Sequence, residues 1–453
     1  MSNVLVIGDL ILDEYIYVRP LKISDEAHVI TSLIQGKKIS LGGAGNVACN
    51  IASQGNQCTF VGLSSFKYKK EITSNFKKFN IKCKLFIVDD SIQIKTRVVS
   101  NKKQQISRYD SQIEPKVSKL IIDNVISFIK NNIASYDFIV ISKYHDFFIK
   151  ERLVSSIIKL AHQYKKKLIV DNRQNNYQIF DNIDFYKLNF KEFCNIYGQV
   201  DNTFESIKKT INKNNLIKSN LLITRSELST IFVSKDRKDI FEINVEKVEV
   251  NDVSGAGDTF VATFASFFQE KKDIKELIKF CHSMCNIVVK KQGTNVVWTY
   301  EFSNNVSLKI ISNQLKLNNK KIVFTNGVFD ILHEGHIKLL QEAKVQGDYL
   351  IVGLNSDSSV KKLKGDDRPI KNEDERKLIL EATKYVDKVI IFNELTVDNC
   401  LKQIKPDVYV KGGDYKIENL PEKKSLKYVE KVVFVDLVKN KSTTNIVKKI
   451  KSR

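Results

Sequence analysis

Asp252-Val-Ser-Gly-Ala-Gly-Asp258 runs directly into an apolar stretch, Thr259-Phe-Val-Ala-Thr-Phe-Ala265. Gly255 and Gly257, with Ala256 between them, let backbone N–H groups close on an anion. A helix beginning here turns its positive end toward that anion. Asp258 stands where a carboxylate can take the proton of a substrate hydroxyl. The same letters also describe a glycine turn with an Asp helix cap, so residues elsewhere have to decide.

A second stretch, Thr325-Asn-Gly-Val-Phe-Asp-Ile-Leu-His-Glu-Gly-His336, carries a different phosphate chemistry. His333 and His336 flank a glycine at a predicted helix start, where paired imidazoles can line a triphosphate and stabilise charge on a leaving pyrophosphate. The zinc spacing His-Glu-x-x-His is not met, and no Gly-x-x-x-x-Gly-Lys-Ser/Thr loop occurs.

Apolar runs at 4–7, 138–142, 168–171 and 221–224 predict buried parallel strands. Helical spacing at 119–131 and 151–164 lies between them. The pattern predicts a doubly wound α/β domain, with alternating segments at 15–18, 28–32 and 95–100 as a small extra sheet or lid. The alternation restarts at 321–324, 349–354, 388–392, 408–411 and 432–436, with helices expected at 336–345 and 373–385. The expected organisation is a first domain at 1–302, a polar linker at 303–319 and a smaller Rossmann-like domain at 320–453.

The chain has 453 residues, 42% hydrophobic and 28% charged, which suits two or three soluble domains. No apolar run approaches a membrane span, and the N-terminus reads as a first strand, not a signal peptide. Seven scattered cysteines fit reduced thiols and a cytoplasmic location. Cys281 and Cys285 read as structural thiols, without a second ligand pair for zinc. The net charge of +21 is spread: residues 320–453 hold 27 Lys and Arg against 20 Asp and Glu, +7, and the rest carries +14. That suits anionic small molecules better than a specific nucleic acid.

The first-domain motifs are Gly8-Asp9, Asp13, Gly42-Gly-Ala-Gly-Asn46, Asn189-Phe-Lys-Glu192, Thr224-Arg-Ser-Glu227 and the glycine turn. In this order they resemble the ribokinase-like (PfkB) sugar kinases. The resemblance implies that Asp9, Asp13, Gly43 and Asn46 grip sugar hydroxyls. It implies that Asn189 and Glu192 organise Mg²⁺ and phosphate, and that Thr224 lies by the nucleotide. Asp258 is then the base, with Gly255, Ala256 and Gly257 as the anion hole. Lys95-Thr-Arg97 and Gln104-Gln-Ile-Ser-Arg108-Tyr-Asp110 resemble the heptose-phosphate kinase branch, making Arg97 and Arg108 candidates for the sugar's own phosphate.

Two segments depart from that branch. It has Ser-Asp-Tyr-x-Lys-Gly where this chain has Ser142-Lys-Tyr-His-Asp-Phe147, and Asp-Pro-Lys where this chain has Asp171-Asn-Arg173. Ser229 also stands where a glycine is expected.

After residue 320 the Thr325–His336 stretch is followed by Gly347-Asp348, Asn355-Ser-Asp357, Lys364-Gly-Asp-Asp-Arg368-Pro, Val410-Lys-Gly-Gly-Asp414 and Ser442-Thr-Thr444. This resembles the HxGH nucleotidyltransferases, most closely the branch that makes ADP-heptose. The cytidylyltransferase relatives end in Arg-Thr-x-Gly-Ile-Ser-Thr, whereas this chain has Lys439-Asn-Lys-Ser-Thr-Thr444. The resemblance implies that Asn326, Gly327 and Phe329 cradle ATP, and that Lys364 and Arg376 contact phosphate. It places Lys411, Gly412 and Asp414 at the nucleotide's edge and Ser442, Thr443 and Thr444 over phosphate, with His333 and His336 stabilising the transition state.

The order of parts resembles the bifunctional heptose kinase–adenylyltransferases. The implied cofactors are ATP and Mg²⁺, the metal carried by ATP with Glu192 nearby. The implied partners are sugar phosphates and a second copy of the chain, paired through the extra sheet. Two alternatives stay open: a transferase whose kinase half is inactive or serves another sugar phosphate, and a basic regulatory protein that reuses a sugar-kinase fold.

Overall fold

Strands rich in Val, Ile, Leu and Phe with no polar alternation must be covered on both faces. In the computed structural model they form one large sheet. The structure describes residues 2–24, 27–89, 92–100, 104–111, 114–271, 273–303, 307–413 and 417–435. They fall into two compact units, Met1–Phe302 and Ser303–Arg453.

The first unit runs β1 Asn3–Gly8, β2 Leu10–Ile23, β3 Ile30–Gly43, β4 Gln57–Ser65, β5 Lys82–Val88, β6 Gln93–Ser100 and β7 Gln105–Asp110. It continues with β8 Phe138–Lys143, β9 Lys167–Asn172, β10 Phe185–Asn189, β11 Asn220–Thr224, β12 Ser229–Val233 and β13 Ile240–Asn244. Nine of these make a sheet in the order β13-β12-β11-β10-β9-β8-β1-β4-β5. It is parallel from β5 to β11 and antiparallel at the β11-β12-β13 end. Helices Ala44–Ser53, Ala256–Phe267 and Ile274–Val288 cover one face around Phe60, Phe264 and Leu277. Helices Lys119–Asn132, Glu151–Gln163 and Phe204–Lys213 supply Val125, Ile157 and Ile207 to a second core.

The expected extra sheet is four-stranded, in the order β3-β2-β6-β7. Asp9 alone separates its strand β2 from β1 of the large sheet. All seven cysteines are free; burial raises the Cys281 thiol, and Cys285 Sγ donates to Ala256 O at 3.3 Å.

The second unit is a parallel five-stranded sheet, in the order β16-β15-β14-β17-β18. Its strands are β14 Ile322–Gly327, β15 Tyr349–Asn355, β16 Lys388–Phe392, β17 Val408–Gly412 and β18 Lys431–Val435. The order reverses between β14 and β17, and ligands bind such sheets at the carboxyl strand ends beside this switch point.

The stretch 303–319 is not a bare linker. Helix Leu308–Leu317 lies within it, with Ile311 and Leu315 fully buried, and Ser312 Oγ donates to Ile404 O. The Asn- and Lys-rich composition hid an i, i+4 apolar pair that this unit needs to close its core.

Leu315→Ala is expected to cost the second unit about 2–4 kcal/mol. The chain's one tryptophan, Trp298, is buried in the first unit, so its fluorescence tracks that unit alone. In a urea titration, far-UV circular dichroism should reveal an earlier transition while the Trp298 transition stays put. An unmoved dichroism curve would reduce the helix to a tether.

Candidate active sites

In the first unit, close backbone approach assembles the site. A Cβ on Gly8 would stand 2.2 Å from Ser142 O, so glycine lets β1 and β8 deliver their ends side by side. Asp9 follows, buried, and its carboxylate accepts from Tyr144 N at 2.8 Å and His145 N at 2.9 Å. Burial pushes this carboxyl up to about 6, against the pull of those amides and Lys143.

Asp13, on β2, accepts from Arg97 Nη1 at 2.6 Å and Thr294 Oγ1 at 2.8 Å. Gly43, at φ 59°, caps helix Ala44–Ser53. One turn into that helix, Asn46 donates Nδ2 to Asp258 Oδ2 at 2.9 Å. Gly255 caps helix Ala256–Phe267 at φ 84°, and a Cβ there would meet Asn46 Nδ2 at 2.7 Å.

Asp258 is the centre. Its Oδ1 accepts from Tyr144 OH at 2.6 Å and lies 3.4 Å from Arg173 Nη2. Burial raises its pKa, while Arg173, Tyr144 and Asn46 hold the rise back. The structure thus gathers Asp9, Asp13, Gly43, Asn46, Arg97, Asp258 and the 255–257 turn from four separate stretches of chain.

Other expected residues are placed differently. Arg108 forks onto the exposed Asp110, Nε at 2.7 Å and Nη2 at 2.6 Å, although its cross-strand neighbour is Arg97. Asn189 and Glu192 form a reciprocal helix cap: Asn189 Oδ1 accepts from Glu192 N at 2.8 Å, and Glu192 Oε2 accepts from Asn189 N at 2.7 Å. Burial raises the Glu192 carboxyl, countered by Lys187. Thr224 pairs in register with Asn189 at the neighbouring strand end.

The departures prove self-consistent. Lys143, fully buried, pairs with Asp146, so the two signs are exchanged relative to the Ser-Asp-Tyr-x-Lys-Gly pattern. Asn172 donates to Tyr186 OH and Gln174 O, both at 2.9 Å. Ser229 Oγ accepts from Arg225 Nε at 2.8 Å.

Three residues escaped the sequence reading. Tyr144 holds the base. His145 shares a small cavity with Asp9 and stacks on Phe147 at 5.2 Å. Its Nε2 is buried without a partner. Lys187 is 3% exposed and pairs with Asp171 at 2.9 Å; a lysine inside the apolar run Phe185–Asn189 was the available signal.

Among the described residues no cluster of three or more His, Cys, Asp or Glu side chains could hold a metal. Asp171 Oδ2 is buried and unpartnered, Asp171 Oδ1 pairs with the Lys187 that lies against Gly257, and Lys187 also acts on the Glu192 carboxyl. That donor set fits an ion held chiefly by phosphate oxygens and water.

In the second unit, His333 caps helix Glu334–Lys344 and stacks on His336 with ring centroids 3.8 Å apart. Burial lowers His336 to about 4, helped by His333 and Lys364. Burial and Arg368 also lower Lys364. Asp330 ties the loop that follows Lys364, accepting from Arg368 Nη1 at 2.6 Å and Ile370 N at 2.8 Å. At the ends of β14 and β17, Asn326 Oδ1 accepts from Tyr409 OH at 2.7 Å and Lys411 Nζ at 3.2 Å, and Lys411 also pairs with buried Glu422 at 2.8 Å. Gly327 and Gly412 close those two strands.

Two of the expected residues are buried in the interior. Phe329 is 3% exposed and packs beneath Gly327 and against His336 at 5.1 Å, so it braces the loop from the core side. Arg376 is fully buried: Nε donates to Lys371 O at 3.0 Å, Nη1 to Val328 O at 2.7 Å and Nη2 to Asp357 Oδ1 at 2.6 Å. It clamps Val328, Lys371 and Asp357 to its helix. Asp414, Ser442, Thr443 and Thr444 lie outside the described residues.

With both geometries in hand, the likenesses to known proteins fall into place. Residues 1–299 match the pfkB family of carbohydrate kinases, and residues 324–449 match the cytidylyltransferase-like family. A bifunctional protein HldE of Aliarcobacter butzleri is 35% identical, covering 99% of this chain and 97% of its own. One from Helicobacter pylori is 32% identical, covering 100% and 99%. Among solved structures, Escherichia coli phosphofructokinase-2 covers 70% of this chain and 100% of its own, with TM-score 0.57 at 15% identity. A Thermotoga maritima ribokinase covers 66% and 98%, with TM-score 0.51 at 18% identity. These last two speak to the fold of the first unit.

The raised carboxyl of Asp9 gives a pH test. A group whose folded pKa is raised stabilises the fold below its unfolded value and loses that contribution as pH climbs through about 6. Asp9→Asn should therefore melt higher than wild type at pH 8, with the gap closing toward pH 5. Sugar binding should weaken at least tenfold at all pH values above 6. Scanning calorimetry across pH checks the first part and substrate saturation the second; a pH-independent melting gap would contradict it.

Proposed function

The chain belongs to the bifunctional HldE family, and from that premise we propose that it carries out two transfers on one heptose. It is a carbohydrate kinase joined to a nucleotidyltransferase, and both activities use ATP with a divalent metal. In this reading the first unit, 1–302, phosphorylates D-glycero-β-D-manno-heptose 7-phosphate at O1. The second, 303–453, joins AMP to D-glycero-β-D-manno-heptose 1-phosphate, releasing pyrophosphate and forming ADP-heptose for lipopolysaccharide core assembly. A separate phosphatase removes the 7-phosphate between the steps.

The observation that carries this reading is the buried Asp258 carboxylate at the glycine-capped start of an apolar helix, in the same chain as the stacked His333–His336 pair. Asp258 takes the proton of the O1 hydroxyl while that oxygen attacks the γ-phosphorus. Asp9, Asp13 and Asn46 hold the sugar, and Arg97 and Arg108 meet its 7-phosphate once Arg108 turns from the exposed Asp110. The 255–257 turn offers backbone N–H groups to the transferred phosphoryl.

In the second unit the attacking group is already a phosphate anion, so no base is required. His333 and His336 stabilise the leaving pyrophosphate, Lys364 meets phosphate, and Asn326, Gly327, Lys411 and Gly412 edge the nucleotide. Asp414 and Ser442, Thr443 and Thr444 belong to the same proposal. Mg²⁺ is the expected ion at both sites, neutralising triphosphate charge, with Glu192 and Asp171 nearest to it in the first.

The exposed Leu21, Ile23, Ile30, Leu33 and Ile34 on β2 and β3 favour pairing of two copies through the small sheet. No helix among the described residues is long and apolar enough to cross a membrane, and we assign the protein to the cytoplasm.

Mass spectrometry of products separates the two sites. Asp258→Asn should abolish the heptose bisphosphate, at least 10³-fold, and leave ADP-heptose formation from the 1-phosphate intact. His336→Ala should do the reverse. Loss of both products from either change would refute the division of labour.

A further inference from the structure

Two cations stand against the glycine turn that faces the phosphoryl group. A Cβ built on Gly257 would lie 3.3 Å from Lys187 Nζ and 4.0 Å from Arg173 Nη2. Lys187 is committed to Asp171, 2.9 Å away, and both side chains are buried. Arg173 is different. Its side chain is 38% exposed, and it touches Asp258 Oδ1 at a loose 3.4 Å. Its guanidinium carbon sits 3.9 Å from the centre of the Tyr144 ring, and Tyr144 OH donates to the same Asp258 oxygen at 2.6 Å.

The guanidinium is therefore stacked on a fixed platform and opens to the cleft, with the base on one side and the anion turn on the other. A phosphoryl group in transfer occupies that same interval. The attacking oxygen is held at the base, the leaving oxygen is held in line beyond the phosphorus, and charge spreads over the equatorial oxygens between them. A planar fork with several N–H donors suits two of those oxygens better than a lysine ammonium does.

We propose that Arg173 is a catalytic residue of the kinase site that binds the equatorial oxygens of the phosphoryl group in transit, with Lys187 as a positioning residue beneath the Gly257 turn. The proposal rests on the kinase reading above. In the step, the substrate hydroxyl forms its bond to the γ-phosphorus and its proton passes to Asp258. The bond from the γ-phosphorus to the β–γ bridging oxygen breaks, and ADP leaves with that electron pair. Arg173 keeps its protons throughout. It exchanges the loose contact with Asp258 for hydrogen bonds to the phosphoryl oxygens, which frees the carboxylate lone pair that receives the proton.

The test uses the full chain. Wild type, Arg173→Ala and Arg173→Lys are assayed for sugar bisphosphate formation from heptose 7-phosphate, and for slow ATP hydrolysis with water as acceptor. For Arg173→Ala, kcat is expected to fall about 10²–10³-fold, with the KM for sugar and for ATP each within about threefold. Arg173→Lys should recover about tenfold of the loss, and millimolar guanidinium chloride should raise the kcat of Arg173→Ala but not of wild type. Adenylyl transfer by the same samples reports on intact folding and should not change.

A kcat loss below about fivefold would overturn the proposal, as would a loss carried wholly by KM or one that guanidinium leaves unrescued. The heptose reading fails on a separate outcome: wild type that hydrolyses ATP but makes no bisphosphate. In that case the hydrolysis rate of Arg173→Ala against wild type still decides the role of Arg173, a matching rate overturning it.

Discussion

Asp258 is a carboxylate removed from water, and the first unit is built around making that tolerable. A buried charge survives only with donors on its lone pairs. Here they come from three distant stretches: Asn46 on one helix, Tyr144 after β8 and Arg173 after β9. Asp258 therefore fixes where two strand ends and one helix must meet. Deleting any one donor leaves a buried acceptor short of a partner, at a cost of about 1–3 kcal/mol. Catalytic geometry and local stability are in this sense one constraint.

The constraint is transmitted through glycines. Gly8 lets β1 touch β8, Gly42 leaves room for the Asp13 carboxylate 2.3 Å from where its Cβ would be, and Gly255 lets Asn46 reach across. Each is a place where a side chain would hold apart two elements that the site needs together. Asp9 shows the electrostatic counterpart. Two backbone amides solvate it, yet not enough to cancel burial, so its carboxyl rises to about 6. On the proposed reading, a sugar hydroxyl supplies the missing donor and couples sugar binding to the charge on Asp9.

Much of this was legible in the sequence. The apolar runs gave β1, β8, β9 and β11, and the ordered motifs located Asp9, Asp13, Asn46, Asp258 and the two histidines. What stayed hidden depends on contacts far apart in the chain. The family resemblance offered Arg376 as a phosphate contact from its helix. Its burial follows from carbonyls on two other segments, which no local pattern records. Phe329 read as a nucleotide wall, and the tertiary fold turns it into the core. Helix Leu308–Leu317 was masked by its polar residues, and Tyr144 by sitting in the loop that departs most from the family pattern. In that loop the exchanged signs of Lys143 and Asp146 looked damaging singly and are compensating as a pair.

The two sites meet one electrostatic problem from opposite sides. At the first, burial raises the Asp258 carboxyl, and Arg173, Tyr144 and Asn46 restrain the rise. At the second, burial and a neighbouring imidazole lower His336 to about 4, so the resting ring is neutral at pH 7. Two stacked imidazolium rings 3.8 Å apart would repel each other in the absence of an anion. On the proposed reading, a triphosphate brings negative charge against the pair and favours its protonation. Positive charge is then assembled where pyrophosphate charge develops, without being stored at full cost beforehand. The kinase site has no such option, because Arg173 and Lys187 are charged at every relevant pH. It holds its cations against Asp258 and Asp171 instead, and on the proposed reading the phosphoryl group competes for them.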